Sequence, residues 1–124
     1  MPRYTILTHD HPFEHWDFLL DPGEEGLLRT WRILKTPDES GAIPAQLQPD
    51  HRRIYLDYSG PISGNRGSVA IWDQGEYELV GGAELLGESM RMECRGRRLS
   101  GEIRLQRVRE SEWEYSYLGD SETV

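Results

Sequence analysis

Glycine and proline punctuate this chain so often that no helical period survives. Thirteen Gly and seven Pro are spread over 124 residues. No stretch repeats its apolar residues at three- and four-residue spacing for long. What remains between the breaks is short, β-branched, aromatic and alternating. "RYTILTHD" and "HWDFLL" read as strands joined across "HPFE", whose Pro12 suits a turn. "DPGEEG" reads as a loop and "LLRTWRILK" as a third strand. "TPDESGAIPAQLQPD" (36–50) carries three Pro and reads as a long connection with room for a small helix. "RRIYLDYSG" alternates Ile54, Leu56 and Tyr58 against Tyr55 and Asp57, as a strand would. "PISGNRG" reads as a Gly-rich turn, and "SVAIWD-QG-EYELV" as a hairpin turning at Gln74 and Gly75. The segment 81–118 reads as three further strands split at "GRRLSG" and "RES". The expectation is a mainly β, compact antiparallel barrel of short strands, forming one domain over 1–124 with a loose tail from 118.

Charge narrows the function classes. The formal net charge of −8 argues against a simple electrostatic clamp on nucleic acid. Yet thirteen of the fourteen basic residues are Arg, and seven of them fall between Arg91 and Arg109 beside only Glu93 and Glu102. Arginine is the residue that phosphate and carboxylate contacts favour. A solvated strand face explains the same run for any single Arg. The lone Cys94 excludes an internal disulfide and a Cys-based zinc site. With no long apolar run and no secretory leader pattern, a cytoplasmic protein without a membrane partner is expected.

The chemistry concentrates in "THDHPFEHWDFLL", residues 8–20, which holds three of the four histidines. On a strand His15 and Asp17 share a face. A short turn over 10–14 would return His9 beside His15 as its cross-strand neighbour. Two imidazoles and a carboxylate would then converge, a donor set suited to Mn, Fe, Zn or Ni with positions left open. His11 is a competing ligand nearer the turn. The bland alternative is a polar hairpin whose Trp16 and Phe18 face a core. Two enzyme classes use such a set: a metal-dependent phosphoesterase, and a non-haem iron oxygenase in which His15, Asp17 and a distant His51 form the triad.

"HDHPFEHWDFLL" resembles the "HDA-x-x-x-HYDFRLE" motif of the 3′-phosphoesterase domain of bacterial DNA ligase D. Four more segments follow in the family's order. "GLLRTWRILKTP" is similar to "G-x-L-x-SWAVPKGP", and "DHRRIYLDYSGPISG" to "DHPLDYxxFEGxIP". "GSVAIWDQGEYEL" is similar to "GxVxxWDRGTYE", and "RGRRLSGEIRLQRVRESEWEYSYL" to "xGxKLxGxFxLVRxxxxxWLLIK". The resemblance implies a β-barrel that removes 3′-terminal phosphates and ribonucleotides from DNA ends with Mn²⁺. It implies that His9, His15 and Asp17 hold the metal, that His51 contacts the phosphate and that Tyr55 lies beside it. Trp72 and Asp73 match as structural residues. DNA 3′ ends are the implied partner, with separate ligase or polymerase repair proteins as further candidates and a monomer as the expected state.

Two departures bear on activity. The family's "DFRLE" reads "DFLLD", so Leu19 replaces an arginine that contacts phosphate. A second family arginine ahead of "DH" has no counterpart in "GAIPAQLQP". Arg52, Arg53 and Arg66 are the substitutes the sequence offers, Arg66 first because a Gly-rich turn admits an anion. Losing both cations leaves a second outcome open: a weak or inactive binding module on the same fold.

Overall fold

Alternating side chains close this chain into a barrel. The computed structural model describes residues 2–23, 26–80 and 87–119. Nine strands occur among them: β1 (Arg3–His9), β2 (His15–Leu20), β3 (Leu28–Ile33), β4 (Ala42–His51), β5 (Gly60–Pro61), β6 (Ser68–Leu79), β7 (Ser89–Gly96), β8 (Ser100–Arg109) and β9 (Glu112–Gly119). A single 3-10 turn, Arg53–Leu56, lies between β4 and β5. Every described pairing is antiparallel. The order β1-β2-β3-β4-β9-β8-β7-β6 closes where β6 pairs with β1, and β5 is appended to the start of β6. Closure of these eight strands removes the exposed edges that an open sheet would present. No helix among the described residues is long and apolar enough to cross a membrane.

The period of two gives each strand two jobs. Tyr4 and Ile6 of β1, Phe18 and Leu20 of β2, and Trp31 and Ile33 of β3 enter one interior cluster. Met92, Ile103, Leu105, Trp113 and Tyr115 complete it from the opposite wall. The intervening residues Leu7, Leu19 and Leu28 face outward into a second apolar cluster with Leu56 and Val69. Burying one such leucine stabilises by about 1.5–3 kcal/mol. The cover over this second cluster is the segment around the 3-10 turn. Thr5 Oγ1 donates to the Leu56 carbonyl at 2.7 Å, as does Gln74 Nε2 at 2.7 Å. Arg53 grips Asp21 with both guanidinium arms at 2.8 and 2.6 Å, and Arg3 grips Asp57 at 2.6 Å.

Four expectations need correction. The connection 36–50 contains most of β4 rather than a helix. Pro49 is accommodated because it falls where the pairing with β3 slips between Leu28 and Thr30, and beyond the 42–46 segment that pairs with β9. The stretch 53–56 is a 3-10 turn, closed by Tyr55 N–H to Arg52 carbonyl and Asp57 N–H to Ile54 carbonyl, not a strand. Its apparent alternation fails because Ile54 is 60% exposed while Leu56 is buried. Gln74 and Gly75 do not turn; β6 runs straight through them. Glycine is needed at 75 because a Cβ there would overlap the Arg95 carbonyl of β7. Finally, Leu118 and Gly119 belong to β9, since Gly119 pairs with Glu102. The remainder of the expected tail, 120–124, lies outside the described residues, as does 81–86.

Candidate metal centre

The β1–β2 hairpin pairs His9 with His15 and Leu7 with Asp17. Directly paired residues share a face, so the two imidazoles meet with ring centroids 4.8 Å apart. Asp17, two residues along β2, reaches both. Its Oδ2 lies 3.0 Å from His9 Nδ1, and its Oδ1 lies 3.1 Å from His15 Nε2. The candidate ligand atoms of the three residues all lie within 4.8 Å of one another. His11 and His51 stand outside this cluster, so His15, Asp17 and His51 form no triad.

The surrounding carbonyls set the protons. His15 is fully buried, and its Nδ1 donates to the Phe13 carbonyl at 2.8 Å. That turns Nε2 toward Asp17, buried and without a well-directed hydrogen bond despite the short distance. A histidine held through one nitrogen with the other left unpartnered is the arrangement of a metal ligand. His9 differs. Its Nδ1 faces Asp17 and its Nε2 faces the Arg66 carbonyl at 2.9 Å. Both partners accept, so the ring donates twice. The Asp17 hydrogen bond accordingly raises the His9 pKa above its ordinary value, against the opposing pull of burial. Burial pushes the Asp17 carboxyl up, but the two imidazoles beside it, His15 and His9, outweigh it and hold the carboxyl down to about 2. The donor set of two imidazoles and one ionised carboxylate fits a divalent transition ion, which would take the place of the His9 proton.

The cluster opens into a cleft of about 480 Å³ lined by His9, Asp17, His51, Tyr55 and Arg66 among others. His51 ends β4, with its Nδ1 donating to the Pro49 carbonyl at 2.9 Å, which leaves Nε2 as its free nitrogen. Its ring meets Tyr55 edge-on at 5.9 Å. Arg66 sits in a turn where Gly64, Asn65 and Gly67 take positive φ. Its Nε is occupied by the Ser63 carbonyl at 2.8 Å, while its own carbonyl holds His9. Arg52 lies over the Tyr55 ring at 5.8 Å, and Arg53 is bound to Asp21. Leu19 is 0% exposed within the outer apolar cluster and does not line the cleft.

Two features were not read from the sequence. Arg32 lies directly opposite Asp17 on β3 and lines the cleft. Alternation with the inward Trp31 and Ile33 gave its face, but its neighbour depended on the register of β3 against β2. The run Arg91–Arg109 turns out to be largely paired. Arg91 and Arg104 share Glu102, Arg95 meets Glu78, Arg107 meets Glu88 and Arg109 meets Glu112. These are exposed ion pairs, each worth little to stability. Asp73, in turn, is structural, as expected, but at a turn other than its own. It accepts from Tyr4 Oη at 2.7 Å and from the backbone N–H groups of Arg97, Arg98 and Leu99 at 2.8–3.1 Å.

No curated protein matches the chain. Residues 7–107 match the family described as the DNA Ligase D 3′-phosphoesterase domain, a span that includes the whole histidine–aspartate cluster and every residue lining its cleft. The chain belongs to the DNA ligase D 3′-phosphoesterase domain family.

Proposed function

We propose that this chain is a metal-dependent 3′-phosphoesterase acting on DNA ends, including ends tipped with a ribonucleotide. The observation that carries the reading is the unpartnered, buried Nε2 of His15, set against Asp17 at the mouth of a cleft that also holds His51. His9, His15 and Asp17 would hold the ion, with Mn²⁺ the first candidate. A bound divalent ion supplies polarisation of a phosphoryl oxygen. His51, fixed through Nδ1 by the Pro49 carbonyl, offers Nε2 to the phosphate and carries a proton to or from the reacting oxygen. Tyr55 braces the His51 ring. Arg66 contributes charge at the rim and, through its backbone, the orientation of His9. The reaction belongs in the cytoplasm, with ligase or polymerase repair proteins as separate partners of a monomer.

A primer ending in 3′-phosphate, annealed to a longer template, tests this. Phosphate release should require the metal, and His51→Ala should lower it by about 10² or more with the melting temperature unchanged. Leu19 favours a second reading, since its burial removes one expected phosphate cation. If no 3′-phosphate or 3′-ribonucleotide end is processed with metal while DNA still binds, the chain is a binding module on a phosphoesterase fold.

A further inference from the structure

We propose that Arg32 is the residue that binds the terminal phosphate, on the strand next to the one where the resembling motifs carry an arginine. This rests on the phosphoesterase reading and deepens it. Arg32 pairs in register with Asp17, so its side chain leaves β3 on the same outer face as the candidate metal ligands. It lines the cleft together with His51. Its Nε is buried and has no hydrogen-bond partner. Its guanidinium carbon lies 5.5 Å from the Phe13 ring centroid, a contact that orients the group without using its N–H donors.

Of the other arginines nearby, Arg53 is bound to Asp21 and Arg3 to Asp57. Arg66 is held by the Ser63 carbonyl. Arg52, which also lines the cleft, lies over the Tyr55 ring and has no buried guanidinium nitrogen left unpartnered. Asp17, the acid nearest in register, already has each oxygen facing an imidazole. Arg32 is therefore a cation beside a candidate metal site with no anion of its own among the described residues. With a divalent ion on Asp17, the two cations leave a net positive niche. A phosphate monoester dianion fits that niche better than a diester, because it carries two negative charges rather than one and keeps a further free oxygen when a guanidinium fork has taken a pair. In the motifs the chain resembles, arginine occupies the position of Leu19 and alanine that of Arg32. Here the two have traded: Leu19 is sealed into the outer apolar cluster and the guanidinium projects from the adjacent strand.

The test measures binding of inorganic phosphate to the Mn²⁺-loaded protein, and of primers ending in 3′-phosphate or 3′-hydroxyl. The proteins are wild type, Arg32→Ala and Arg32→Lys, with metal affinity and thermal melts alongside. Arg32→Ala should weaken inorganic phosphate and the 3′-phosphate primer by about tenfold or more. It should leave metal affinity and the 3′-hydroxyl primer unchanged. Arg32→Lys keeps the charge without the fork and should recover part of the loss. Three results would overturn the assignment: wild type that binds no phosphate with metal present, Arg32→Ala that binds it as wild type does, or equal loss for both primer ends. Phosphate release is scored separately. Release without an Arg32 effect on phosphate affinity sinks the assignment alone. Selective phosphate binding through Arg32 without any release sinks the phosphoesterase reading alone.

Discussion

Two buried aspartates flank strand β1 and have opposite fates. Asp73 on β6 and Asp17 on β2 are 1% and 3% exposed. Asp73 shares the interior side with Tyr4, and its oxygens are taken by one hydroxyl and three backbone N–H groups. None of those donors can be displaced without breaking the fold. Asp17 lies on the outer face and is met by two imidazoles. Imidazoles give up protons near neutral pH and accept ions in their place. The identity of the donors, rather than the burial of the acid, separates a carboxylate that fastens a turn from one that can hold a cation.

The largest expected effect is at the fastening site. Asp73→Ala leaves four donors without an acceptor and should cost about 3–5 kcal/mol in chemical denaturation. Metal affinity of the folded fraction should not change. A cost below 1 kcal/mol would erase the distinction between the two aspartates. Leu19→Arg comes next, because it tests how sharply polarity is confined to the cluster around Asp17. It places a guanidinium among Leu7, Leu28, Leu56 and Val69 and should destabilise by about 3 kcal/mol in thermal melts. A melt unchanged from wild type would mean that position 19 opens to the cleft.

A smaller effect appears in the pH profile of the metal-free protein. The Asp17 carboxyl, held at about 2, adds stability above the ordinary carboxylate range and loses it as pH falls through about 2. The raised His9 pKa adds stability below the ordinary imidazole range, lost as pH climbs through the raised value. The pair therefore helps most at mildly acidic pH. Asp17→Asn should remove about 2 kcal/mol there and flatten both flanks of the profile in the presence of chelator. Smallest is a proton count. Below the raised His9 pKa, metal loading should expel about one proton, read as the slope of binding enthalpy against buffer ionisation enthalpy. A slope of zero would mean that His9 does not surrender its Nδ1 proton to the ion.

The hairpin site was legible because His9 and His15 lie equally far from the middle of a short turn. Period-two alternation then fixes both faces without knowledge of the rest of the chain. The interior sides of β1 to β3 were legible for the same reason. What failed to read depended on distant partners. Two prolines hid β4, although a register slip accommodates Pro49. Gly75 imitated a turn because the approach of Arg95 from β7 is invisible locally. The run of arginines looked short of acids because Glu78, Glu88 and Glu112 lie outside the window that was counted. Arg32 was overlooked because its relation to Asp17 is a matter of register between β2, which ends at Leu20, and β3, which begins at Leu28, and not of any local pattern.

The split of β1 and β2 into inward and outward residues also bears on how such a protein can change over time. Substitutions at Tyr4, Ile6, Phe18 or Leu20 are filtered by whether the barrel still packs. Substitutions at His9, His15 or Asp17 are filtered by what the cleft still does. Because neighbours in sequence answer to different filters, the two sets can drift almost independently along one ribbon. A cation lost from one outward position can then be regained on the adjacent strand without disturbing the interior. The same separation offers a designer a wall whose reactive side can be rewritten while its packed side is left alone.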